Sequence, residues 1–173
     1  MKEQSGPDSG ADVMRGEEDS HSAVAVLNRQ RRLPLNLARI QGIAKGCLSR
    51  LHVRECEVCV VLVSDRAIQK LNRRYLGRRG PTDVLAFSLG ERRGVVGTPW
   101  MLGDVVISVE TASRQARSLG GSLDEEIDVL VVHGLLHLLG YDHTGSQGEA
   151  RRMWATQRVL VRMLRREMDE RYS

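Results

Sequence analysis

The stretch "DVLVVHGLLHLLG", residues 128–140, constrains this chain more than any other. At helical spacing it is apolar nearly all round, so the helix is expected to be central, with other elements packed on every side. Both of its ends are marked. Ser122 and Glu125 form the S-x-x-E pattern of a capping box, which fixes the N-terminus. Gly140 supplies the residue that most readily takes the left-handed conformation at a helix end. The rest of the sequence must then be arranged around this helix.

The same stretch opens "HGLLHLLGYDH", which holds three of the chain's five histidines. His133 and His137 lie one turn apart on one helix face, so both imidazoles can reach one ion. His143 would lie on another side if the helix continued, but a turn at Gly140 can bring it back. Three neutral nitrogens with a coordination position left over is the pattern of catalytic zinc. Zinc is the first choice for such a set, and nickel, copper or another divalent ion also fits. The bland reading, three unrelated core or surface histidines, accounts poorly for this spacing. The same H-x₃-H-x₂-G-x₂-H spacing occurs in one class of zinc proteases, which carry a Glu general base directly after the first His. Here that residue is Gly134, which cannot move a proton, so peptide hydrolysis is disfavoured.

The segments around the helix read as a βα alternation. "AVAVL" from Ala23 is a first strand. A helix follows with Leu37, Ile40, Ile43, Ala44, Cys47 and Leu51 on one face. "EVCVVLVSD" is a β-branched strand, and Asp65 is placed to cap the next helix, whose apolar face is Ile68, Leu71 and Tyr75. "PTDVLAFSL" and "GDVVISV" are strands, "ETASRQARSL" is a helix stopped by Gly120 and Gly121, and a last helix covers roughly 148–170 with Met153, Leu160, Met163 and Leu164 packing. The order β-α-β-α-β-β-α-α-α predicts an α+β fold with α/β-type layering: one mixed sheet of about four strands, about five helices and a central metal-bearing helix.

With 173 residues the chain is long enough for one domain with a real core. Residues 1–22 are polar, with two basic against six acidic side chains, and read as a disordered acidic tail; 23–173 form the folded domain. The overall net charge is +4, so the body carries +8, which suits a polyanionic partner. No apolar run reaches the roughly 20 residues of a membrane helix. The odd cysteine count and the absence of an export signal predict a reducing, cytoplasmic setting. "CEVC" has metal or redox spacing, but residues three apart on a strand point to opposite faces, so Cys56 and Cys59 read as small hydrophobes.

Three motifs together, "LNRRYLGRRGPTDVLAFS" (71–88), "LGDVVIS" (102–108) and "HGLLHLLGYDH" (133–143), resemble the YbeY family of single-strand endoribonucleases and rRNA maturation factors. The resemblance runs from about Ala23 to the last helix. It implies one zinc ion held by His133, His137 and His143, and a bacterial cytoplasmic or organellar protein. The implied role is 16S rRNA 3′-end maturation and ribosome quality control, with single-stranded RNA, the ribosome or small-subunit proteins as partners. The family pattern Y-R-G-K reads Tyr75-Leu76-Gly77-Arg78 here, so Leu76 stands where the family has an arginine, and Ser88 stands where it usually has Pro. Arg78, two residues on, is the candidate cation for the phosphate. The residues do not name the general base; Asp142 adjoins the third histidine and Asp104 lies in "LGD", and both also fit a supporting or capping role. The competing readings are a metal-stabilised ribosome-associated RNA-binding factor and another zinc hydrolase such as a peptidase.

Overall fold

The computed structural model describes residues 22–89, 99–142 and 145–172, and the architecture is given for these. Strands β1 (Ala23–Asn28), β2 (Cys56–Val63), β3 (Val84–Ser88) and β4 (Trp100–Ser108) form one sheet in the order β1-β2-β4-β3. β1 and β4 run parallel to β2, and β3 runs antiparallel to β4, so the sheet is mixed as expected. Helices α1 (Leu37–Arg50), α2 (Asp65–Leu76), α3 (Val109–Leu119), α4 (Leu123–Leu138) and α5 (Gln147–Tyr172) surround it. The expected tail lies outside the described residues except for Ser22, whose hydroxyl donates to the Val53 carbonyl at 3.2 Å.

Strand alternation divides the sheet into two faces. Val58, Val60, Leu62, Val105 and Ile107 point into the main core, which they share with α1, α4 and α5. Val63, Leu85 and Val106 point the other way and form a smaller cluster with Ile68 of α2. α4 sits in the main core, with Ile127, Val131, Val132, Leu135 and Leu136 fully buried. This is what its lack of a polar face requires. Gly134 lets it come close to the sheet: a Cβ there would overlap Cγ1 of Val105 and stand 3.1 Å from its Cγ2.

One charge goes into the core with α4. Asp128 is 1% exposed and is met by Arg39 from α1 at 2.8 Å and by Arg165 from α5 at 3.5 Å. Burial pushes the Asp128 carboxyl up while the Arg39 bond pulls it back, and the same hydrogen bond raises the Arg39 guanidinium. A buried charge persists only with such partners. The three-helix contact lies about one and a half turns N-terminal to His133 on α4.

Several local expectations are corrected. Ser64 caps α2, its hydroxyl accepting from the Ala67 amide at 3.4 Å, and Asp65 is the first helical residue. Asp65 instead receives Ser108, Thr111 and Arg114. Burial raises its carboxyl, but those donors outweigh burial and hold it below the usual range. Tyr75 is exposed, because the short α2 reaches past the edge of its small core, and packs edge-on against Phe87 at 5.1 Å. Met163 is exposed near Arg50, because the α5 stripe runs through Leu160, Val161, Leu164 and Met168. Cys47, Cys56 and Cys59 are free. Burial raises all three thiols, Cys47 to about 12, so neither member of "CEVC" is a ready thiolate.

Candidate active site

α4 delivers His133 and His137 to one spot. Their Nε2 atoms are 3.1 Å apart and their rings meet edge to face at 4.6 Å. Two ligands of one tetrahedral zinc, each at about 2.0–2.1 Å, would stand about 3.3–3.4 Å apart, so the pair fits a shared ion with a small adjustment. The tautomer of His133 is set from behind. Its Nδ1 lies 2.8 Å from Oε1 of Gln157, and an amide oxygen only accepts, so Nδ1 carries the proton and Nε2 presents its lone pair. Gln157 is 6% exposed on α5, where burial holds its amide against the imidazole.

The helix stops just past His137 in the way Gly140 predicted. The Gly140 amide donates to the His137 carbonyl and the Tyr141 amide to the Leu136 carbonyl, both at 3.0 Å, with Gly140 at φ +87°. This bond pair is a Schellman ending, which reverses the chain direction. α5 then starts with a second capping box between Ser146 and Glu149. His143 lies between these two caps but outside the described residues. Among the described residues no third His, Cys, Asp or Glu joins the pair as a metal-binding group.

The two imidazoles open into a cleft of about 900 Å³ between α4, α5, β3 and the end of α2. Leu76 and Arg78 line this cleft, on either side of Gly77, which caps α2 at φ +64°. The left-handed turn there releases Arg78 from the helix direction, and its side chain is exposed. Arg78 and the histidine pair thus share one cavity. Neither candidate base lines this cleft. Asp104 alternates with Val105, which packs on Gly134, so its side chain faces the opposite side of the sheet, near Cys59. Asp142 lines a separate small cavity of about 220 Å³ with Glu149 and Arg152.

Four cleft residues escaped sequence reasoning. Gln157 had a usable signal: it is the polar member of the stripe Met153, Gln157, Leu160, Leu164, so it had to be buried with a partner. Asp83 and Glu126 line the cleft with no such signal. Asp83 is occupied by the Val84 amide at 2.8 Å, the Thr82 hydroxyl at 3.2 Å and the Gln115 amide at 3.1 Å. Burial and the charge of Asp83 push the Glu126 carboxyl up. Trp154 stands 5.6 Å from the His133 ring, and with Tyr75 and Phe87 it puts three of the chain's six Phe, Tyr and Trp side chains in the cleft. They come from α5, α2 and β3, so no single aromatic-rich strand announces them.

A family model described as "Endoribonuclease YbeY" matches residues 25–165. The chain belongs to this family. Relatives named Endoribonuclease YbeY include one from Geobacter metallireducens, 42% identical over 145 residues, covering 83% of this chain and 97% of the relative. Another, from Aquifex aeolicus, is 45% identical over 118 residues, covering 68% of this chain and 77% of the relative. The solution structure of TM1509 from Thermotoga maritima superposes with a TM-score of 0.61, covering 86% of this chain and 93% of that one at 24% identity, which establishes a shared fold. The YbeY match spans both halves of the cleft: Leu76 and Arg78, and the α4 histidines with Gln157.

Proposed function

We propose that this chain is a zinc-dependent endoribonuclease that cuts single-stranded RNA. Its proposed place is 16S rRNA 3′-end maturation and ribosome quality control, in the cytoplasm and in contact with the ribosome or small-subunit proteins. The observation that carries the reading is the convergence of His133 Nε2 and His137 Nε2 in a cleft that Arg78 also lines. His133, His137 and His143 are the proposed zinc ligands. The bound ion would supply Lewis-acid chemistry, acidifying water and offsetting charge on a phosphoryl oxygen.

The chain's own residues supply the rest. Gln157 keeps the His133 proton on Nδ1, away from the site. Arg78 matches a phosphate with a planar fork of donors. Tyr75, Phe87 and Trp154 bring aromatic surface to the cleft, which suits bases that are not paired in a helix and favours an unstructured strand. The fit of α4 against Val105 counts against a peptidase, since a side chain at 134 would collide with β4 before serving as a base. A binding factor with little catalysis remains the second reading, favoured by Leu76 occupying the cleft where the family has an arginine.

The test is cleavage of a labelled unstructured RNA by purified protein, with and without chelator, beside His133→Ala and His137→Ala. Metal-dependent cuts in the wild type that vanish in both variants support the nuclease. RNA binding without cuts supports the binding factor.

A further inference from the structure

A second groove, of about 770 Å³, runs between α4 and α5 beside the cleft. Val129 and Gln157 line both cavities, so the groove leaves the cleft directly behind the His133 support. Its floor is apolar, from Val129 and Val161, and its rim carries Arg158, Arg162, Arg165 and Arg166. These arginines differ in how they are occupied. Arg165 is held by Asp128, and Arg166 is paired with Glu170 at 3.1 Å. Arg158 and Arg162 are exposed and make no ion pair among the described residues. They stand four residues apart on one face of α5, about 6 Å along its axis. Two like charges so placed repel one another, and no carboxylate among the described residues pairs with either. The groove's acids lie at its far end: Asp169 faces Arg39 at 3.2 Å, and Glu170 faces Arg166. The end nearest the cleft is therefore cationic.

We propose that Arg158 and Arg162 form a phosphate track for the RNA strand as it leaves the cleft, extending the substrate site along α5. The proposal rests on the nuclease reading above. An unneutralised pair of guanidiniums, one turn apart and continuous with the candidate active site, suits a polyanionic chain whose phosphates repeat at a comparable step. The arginines are positioning residues, because they lie beyond the histidine pair. They should govern affinity for long strands and leave the cleavage step alone.

The test uses the full chain and the double variant Arg158→Ala/Arg162→Ala, with Arg158→Lys/Arg162→Lys as the charge-keeping control. Substrates are an unstructured RNA of about 20 nucleotides and a tetranucleotide that fills only the cleft. For the long strand, KM should rise about tenfold at unchanged kcat, and the slope of log affinity against log salt should flatten by about 1.4, or about 0.7 for each lost phosphate contact. The lysine variant should keep that slope. The tetranucleotide should be cut equally well by all three proteins. Unchanged KM and slope for the long strand would overturn the track while leaving the nuclease standing. A kcat loss on the tetranucleotide would also overturn it, since the arginines would then act in the cleft itself. A wild type that neither binds nor cuts either RNA would remove the nuclease reading and the track together. Binding of an acidic protein that weakens in the double variant, with RNA affinity unchanged, would assign the surface to a protein partner instead.

Discussion

His133 and His137 stand on a helix packed on nearly every side, whereas Arg78 stands on an exposed turn after a left-handed glycine. Both belong to one cleft, yet they are held in different ways. The histidines are fixed by the packing of α4, by a closely fitted glycine against β4, and by a buried amide behind one ring. Arg78 is aimed only by Gly77 and the following chain. Ligands of a metal need fixed directions, and buried support provides them. A phosphate-binding guanidinium is long and tolerates offset, so a turn suffices. Leu76, where the family pattern is expected to carry an arginine, falls at this loosely held end, and Arg78 is the proposed substitute cation.

Substitutions that act on one end and spare the other sharpen this comparison. The largest effect belongs to His137→Ala, which should lower zinc affinity at least about 100-fold and abolish RNA cleavage, beyond the loss expected for a supporting residue. A zinc titration followed by calorimetry measures it, and metal affinity near wild type would break the two-histidine site. Gln157→Leu comes next. It leaves the His133 Nδ1 proton without its acceptor and should weaken zinc binding about 10–100-fold, with Gln157→Glu recovering most of the loss. Equal loss in both Gln157 variants would mean that packing on α5, not the hydrogen bond, supports the ring.

At the loose end, Arg78→Ala should weaken RNA binding or cleavage about fivefold to tenfold, roughly 1–1.4 kcal/mol, with zinc binding unchanged. Leu76→Arg should keep or raise activity. Arg117→Ala on the exposed side of α3 is the control. Identical kinetics for Arg78→Ala and Arg117→Ala would place the phosphate elsewhere.

The smallest effect concerns Glu126. Burial, then the charge of Asp83, raise its carboxyl in the folded state, so the folded protein holds that proton more tightly than the unfolded chain does. This contribution to stability is present below the ordinary carboxylate pKa and is lost as pH rises through the raised one. At pH 7 the charged carboxylate is a cost, and Glu126→Gln should stabilise by no more than about 0.5 kcal/mol. Thermal melts should show the gain at pH 7 and none near pH 4. A gain of the same size at both pH values would separate it from ionisation.

The fold was legible because its signals are periodic. α4 could be placed from its two caps and its apolar run, and the β-branched strands from their neighbours. Errors came where tertiary context overrides a local pattern. Asp65 has a capping residue's chemistry, but Ser64 takes the cap and frees Asp65 to bind Ser108 and Thr111 across the fold. Tyr75 keeps helical spacing, but the small second core ends before it. The geometry of the cleft was legible where His133 and His137 share one helix and illegible where partners meet across elements. Nothing in the order of residues brings Trp154 of α5 and Tyr75 of α2 to the same cleft. Asp104 was misplaced as a candidate because a motif does not reveal which sheet face a residue takes.

RNA cleavage is proposed to depend on one zinc held by the α4 histidines. Stripped of metal and titrated with zinc, the wild-type protein should regain cleavage of an unstructured RNA in proportion to added ion, with a sharp plateau at about one zinc per chain. Full-rate cleavage by the stripped protein, or a plateau that persists unchanged in His133→Ala, would contradict it.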